Sequence, residues 1–123
     1  MLSYITLGVT DLDKSEAFYN ELLAPLGAKT LVKMDRILFI GKSMQEPMLS
    51  LCIPFNEDAP NPGNGNMFAI SPGSKEQAAE LHARALSLGA TCDGAPGQRI
   101  PDVFYGAYFK DRDGNKGVFS HFG

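Results

Sequence analysis

Phe104-Tyr105-Gly106-Ala107-Tyr108-Phe109-Lys110-Asp111-Arg112-Asp113-Gly114-Asn115-Lys116-Gly117-Val118-Phe119 reads as strand, tight turn, strand. Asp113-Gly114 supplies residues suited to turn geometry, because glycine has no Cβ penalty at positive φ and aspartate tolerates it. The aromatic and apolar run ahead of the turn suits a half-buried pleated surface. A hairpin of this kind closes a chain whose earlier segments repeat a simple order.

Upstream, Tyr4 to Val9 alternates as a strand, with Ile5, Leu7 and Val9 on one face and Tyr4, Thr6 and Gly8 on the other. A helix follows, capped by Asp13 with Glu16 three residues on, or by the competing Asp11. Phe18, Leu22 and Leu26, widened by Leu23, predict its buried stripe. Gly27 predicts its end. Strands are expected over 29–34, 36–41 and 48–53. The turn-rich run Pro54–Gly65 is a linker or a loop over a cavity mouth. The pattern then restarts: a strand over 66–70, a helix capped by Ser74 with Gln77, a stripe of Ala78, Leu81, Ala85 and Leu88, and Gly89 as terminator. A short strand, Ala90–Cys92, and a Gly/Pro-rich loop from Asp93 to Asp102 lead into the hairpin.

The halves thus share one order, strand–helix–three strands, which is the mark of an internal repeat. Each half alone exposes a sheet face that needs a partner. The expected class is α+β, with paired βαβββ modules forming a cleft-bearing curved mixed sheet. Residues 1–57 form the first module and 64–123 the second, within a single domain over 1–123. A ferredoxin-like α+β domain with an extra hairpin is the competing fold.

Composition narrows the partners. The 123 residues are 44% hydrophobic and 20% charged, enough to bury a core. With 11 basic and 14 acidic residues the formal charge is −3, which offers no field for a phosphate backbone, so no nucleic acid partner is expected. No apolar run is long enough to span a bilayer, and the first residues lack a signal-peptide pattern, so no membrane partner is expected. Cys52 and Cys92 read as buried free thiols, consistent with a cytoplasmic location.

Several stretches together resemble the glyoxalase/bleomycin resistance protein/dioxygenase superfamily, the vicinal oxygen chelate proteins. They are Tyr4–Ser15, Phe18-Tyr19, Leu23–Gly27, Gly63-Asn64-Gly65, Gly94–Arg99 and Asp111-Arg112-Asp113-Gly114-Asn115. No one of them is specific; their succession is. The resemblance implies the paired βαβββ architecture, commonly a homodimer, and a divalent metal held by His and Glu that activates substrate oxygens. The positions matching those ligands are Tyr4, Met67 and Val118, and the strand Leu49–Cys52 has no carboxylate for a fourth. Phenol, thioether and isopropyl groups cannot replace imidazole and carboxylate, so no metal and no cofactor are expected.

Of the two histidines, His82 reads as a helix residue and His121 as a terminal one able to reach a cavity rim. The ligand-binding candidates are Tyr4, Thr6, Arg36, Met67, Arg99, Tyr105, Tyr108, Val118, Ser120 and His121. Arg36 and Arg99 are the candidate anion hooks. Tyr105 and Tyr108 point to opposite faces of a regular strand, so one at most joins a given cavity. The expected partner is a small-molecule ligand. A lyase or isomerase acting on a small oxygenated substrate, and a structural protein with filled cavities, are the other readings. No catalytic residue is assigned.

Overall fold

The computed structural model describes all 123 residues, Met1–Gly123. It divides into two compact units, Met1–Pro62 and Gly63–Gly123. Together they are α+β, with two four-stranded mixed sheets and two helices.

The first unit runs β1 (Tyr4–Gly8), α1 (Leu12–Leu23), a 3₁₀ turn (Ala24–Leu26), β2 (Lys29–Lys33), β3 (Ile37–Gly41) and β4 (Met48–Cys52). Its strand order is β1-β4-β3-β2, with β1 parallel to β4 and the other pairs antiparallel. Asp11, not Asp13, is the N-cap of α1: its carboxylate accepts the Lys14 N–H at 3.0 Å. Glu16 is drawn away from the cap to β2, where Thr30 Oγ1 donates to it at 2.7 Å and Lys33 Nζ at 2.7 Å. The buried stripe of α1 is Ser15, Tyr19, Leu22 and Leu23, so Tyr19 takes the place expected of Phe18. That stripe meets Leu38, Ile40, Leu49 and Leu51, all nearly or wholly buried. Gly27, at φ 79°, caps the 3₁₀ turn in the left-handed region that a side chain would disfavour.

In the second unit the order is β5 (Phe68–Ile70), α2 (Lys75–Ser87), β6 (Thr91–Ile100), β7 (Phe104–Lys110) and β8 (Lys116–Phe122). The sheet order, β5-β8-β7-β6, repeats the first with β5 parallel to β8. Ser74 caps α2 by accepting the Gln77 N–H at 3.1 Å, as its sequence predicts. The core is aromatic: Phe109 lies stacked on Phe119 with centroids 5.3 Å apart and meets Phe68 edge-on at 5.9 Å.

Two expectations about this unit change. The run Asp93–Ile100 is not a loop but most of β6, an edge strand with register shifts around Gly94, Gly97 and Ile100. An edge strand needs only one hydrogen-bonding side, and bulges absorb the glycines and Pro96. The β7–β8 turn is organised by Asp111 rather than by Asp113-Gly114 alone. The buried Asp111 carboxylate accepts the N–H groups of Asp113 and Asn115, each at 2.9 Å. Only Gly114 takes positive φ there, at 86°.

Candidate functional site

Register assigns the side chains to faces, since residues directly opposite in a ladder share one. In the first unit, Thr30 and Ile40 lie toward α1, and Thr30 touches Glu16 and Asn20 of that helix. The opposite, helix-free face carries Tyr4 and Thr6 of β1, Met48 and Ser50 of β4, and Phe39 of β3. Tyr4 meets Phe39 edge-on at 4.9 Å and is nearly half exposed. Thr6 is exposed as well. Between Thr6 and Phe39, Ser50 is fully buried, and its hydroxyl has no hydrogen-bond partner. An orphaned buried hydroxyl costs about 1–3 kcal/mol, so this face holds polar capacity that the fold leaves unused.

Arg36, a candidate anion hook, is half-buried where the chain leaves β4. Its Nη1 donates to the Ile53 carbonyl at 2.9 Å, and its guanidinium stacks over Phe55 at 5.3 Å. It pins the chain that leaves β4. A groove of about 550 Å³ lies beside it, between the first turn of α1 (Asp11–Asp13) and the β2–β3 turn (Lys33–Asp35). None of the sequence candidates lines that groove.

Within the second unit, exposed Ala69 marks the helix-free side of β5, while buried Phe68 faces the core. Ala69 pairs with Val118, and Val118 with Tyr108, so Ala69, Tyr108, Val118 and Ser120 share the helix-free face, while Met67 precedes β5. Tyr105 and His121 oppose each other on the other face, the one that carries Phe109 and Phe119. Alternation in the sequence had already separated the two tyrosines. Val118 is fully buried and Ser120 almost so, whereas Met67 is nearly half exposed.

Arg99 reaches this face from β6. Its guanidinium stacks over the Tyr108 ring at 5.3 Å and donates to the Ala95 carbonyl. Lys116 Nζ lies 5.2 Å from the same ring and 3.1 Å from the Asp93 carboxylate. Lys116 was not singled out in the sequence, because only register places it beside Tyr108. On the core side of β7, His82 is buried, and its Nε2–H donates to the Tyr108 carbonyl at 3.0 Å. The expectation of buried thiols needs correcting: both cysteines are free, but Cys52 is half-buried and Cys92 exposed on the edge strand.

The metal implied by the family resemblance does not fit these residues. The matching positions hold Tyr4, Met67 and Val118, and β4 offers Ser50 and Cys52. No group of three His, Cys, Asp or Glu side chains comes together to hold an ion. Neutral phenol, thioether and alkyl groups lack the charge and basicity that a hard divalent cation needs.

Comparison with known proteins bears on the same architecture. The Glyoxalase/Bleomycin resistance protein/Dioxygenase superfamily model matches residues 1–119. No curated protein matches the chain. A glyoxalase/bleomycin resistance protein from Albidiferax ferrireducens T118 is 33% identical, with a TM-score of 0.88 over 100% of this chain and 99% of that one. A glyoxalase-related enzyme from Fulvimarina pelagi is 21% identical, with a TM-score of 0.76 over 98% and 86%. The fosfomycin resistance protein FosX from Listeria monocytogenes, complexed with Mn(II) and sulfate, is 23% identical, with a TM-score of 0.76 over 100% and 90%. The last two likenesses are of fold alone. The repeated βαβββ topology, the match across 1–119 and the 33% identical neighbour place the chain in the glyoxalase/bleomycin resistance protein/dioxygenase superfamily.

Proposed function

We propose that the protein binds a small, partly aromatic molecule on the helix-free sheet faces, without a protein-held metal. The observation that carries this reading is the donor chemistry at the family's ligand positions. Tyr4, Met67 and Val118 cannot grip a hard cation, yet Tyr4 still presents an exposed aromatic edge beside Phe39. Rings and short apolar side chains with a few hydroxyls suit a ligand of mixed character. On the first unit the Tyr4–Phe39 pair meets a ligand ring, while the exposed Thr6 hydroxyl takes an oxygen atom of the ligand. The second unit offers a surface of its own at Tyr108, on its own helix-free face.

A lyase or isomerase reaction in this chain needs a base placed against a ligand atom, and His121 lies on the opposite face of its sheet from Tyr108 and Ser120. Binding without turnover is therefore the stronger reading. It includes a cytoplasmic homodimer, supported by the family resemblance and by free thiols suited to a reducing compartment.

Calorimetric titration with a panel of small neutral and acidic aromatic compounds tests this, run before and after chelator treatment and with metal content measured by mass spectrometry. Saturable binding that survives chelation is expected. A stoichiometric divalent ion whose removal abolishes binding would overturn the proposal, as would no binding by any panel member.

A further inference from the structure

The end of the second sheet carries an arrangement that simple packing does not require. Lys110 and Lys116 stand directly opposite each other in the β7–β8 ladder. Like charges in that position are destabilising, so they call for an anion nearby. Asp93 supplies one, 3.1 Å from Lys116. Arg99 brings a further cation to the Tyr108 ring, its guanidinium 5.3 Å from the centroid.

Three glycines hold the aromatic centre of this arrangement flat. A Cβ on Gly94 would lie 2.9 Å from Tyr108 Cδ2, and one on Gly106 would lie 3.1 Å from Tyr108 Cε2 and from Phe104 Cε2. On Gly97 a Cβ would come within 2.7 Å of Arg99 Nη1. Tyr108 and Arg99 therefore lie down along the strands, in space that any side chain at these three positions would fill. His82 fixes the Tyr108 backbone from the core side. Arg99 spends one hydrogen bond on Ala95, and its fork remains exposed.

We propose that Arg99, Tyr108 and Lys116 form a platform that selects a planar monoanion, an aromatic carboxylate, over its neutral counterpart. The inference rests on the small-molecule-binding reading and names the ligand class at the second unit's face. The ligand ring lies against the Tyr108–Arg99 surface, and its carboxylate takes the guanidinium fork, whose planar geometry matches two carboxylate oxygens. Lys116 adds charge without directional demand.

Benzoate and benzamide, nearly equal in shape, separate charge recognition from ring binding. Calorimetry on the full chain at low salt should show benzoate bound about tenfold or more tighter than benzamide, the size of a charge-assisted hydrogen bond. Raising the ionic strength should shrink that ratio. Arg99→Ala should bring the two probes to near-equal affinity. Arg99→Lys should leave an intermediate preference, since it keeps the charge and loses the fork. Lys116→Gln should lower the ratio less than Arg99→Ala does. Lys42→Gln, the same charge change in the β3–β4 turn of the first unit, should leave the ratio where it was. If benzoate and benzamide bind wild type equally, or if Arg99→Ala keeps the preference, the platform is overturned while small-molecule binding stands. If wild type binds neither, nor any other compound of the panel, both readings fall.

Discussion

The two units repeat one topology and secure it by different chemistry. In the first, α1 is tied to β2 by polar contacts: Glu16 with Lys33 and Thr30, and Asn20 with Thr30. In the second, α2 lies on its sheet through Ala78, Leu81 and Ala85, with His82 as the buried polar link. The helix-free faces diverge as well. One is neutral, with rings and hydroxyls around the orphan Ser50; the other sets cations around Tyr108. Strand order therefore constrains the backbone and leaves each face free to take its own chemistry, which is why a shared fold does not fix a function.

The sharpest way to break the comparison uses two buried glycines. A Cβ on Gly117 would stand 2.6 Å from both Phe109 Cζ and Phe68 Cζ, rings locked in the aromatic core. In the first unit, a Cβ on Gly41 would meet Met48 Cγ at 2.9 Å, an atom on a flexible, half-buried side chain. Gly117→Ala should cost about 2 kcal/mol by overpacking, while Gly41→Ala should cost below about 1 kcal/mol because Met48 can re-rotamer. Urea unfolding of the two variants checks this. Equal costs would mean that the aromatic core yields as readily as a methionine.

Next in size are the helix caps, one charged and one neutral. Asp11→Ala and Ser74→Ala each remove an acceptor from a first-turn N–H and should each cost about 1 kcal/mol. Asp11→Asn should recover most of the loss, since it keeps the acceptor. Thermal melts of the three variants report it. A free Asp11→Ala substitution would show that the neighbouring Asp13 takes over the cap, as the sequence allowed.

What could be read in the sequence follows from how local each signal is. Ser74 with Gln77, and the glycines at 27 and 89, act within one turn, so helix limits were legible. Strand alternation put Tyr4 with Thr6, put Val118 with Ser120, and parted Tyr105 from Tyr108. β6 was not legible, because Gly94, Pro96 and Gly97 look like loop residues until their edge position is known. The choice of Asp11 over Asp13 was hidden for a related reason: Glu16 is engaged by Lys33, seventeen residues away. Ser50, Lys116 and the structural role of Arg36 depend on register between distant strands, which no local pattern encodes.

The smallest expected effect belongs to that same Glu16–Lys33 contact, and pH isolates it. The Glu16 carboxyl is held below its ordinary 4.5, first by the hydrogen bond from Lys33, against the cost of burial, with the Thr30 hydroxyl and the Lys33 charge adding to the effect. A carboxyl more acidic when folded contributes its full stabilisation above 4.5 and loses it as pH falls through the lower folded value. Lys33 is shifted above 10.5, chiefly by the hydrogen bond to Glu16, so its share is complete below 10.5 and fades as pH rises through the folded value. Glu16→Gln should therefore lower stability across neutral pH and converge with wild type in acid, where the native carboxyl is protonated too. Lys33 is half exposed, so the gap is modest and salt narrows it. Denaturant midpoints measured from pH 2 to pH 8 decide the matter, in steps of roughly half a unit to follow a single titration. Curves that stay parallel into acid would mean that Glu16 acts through packing against Thr30 and not through its charge.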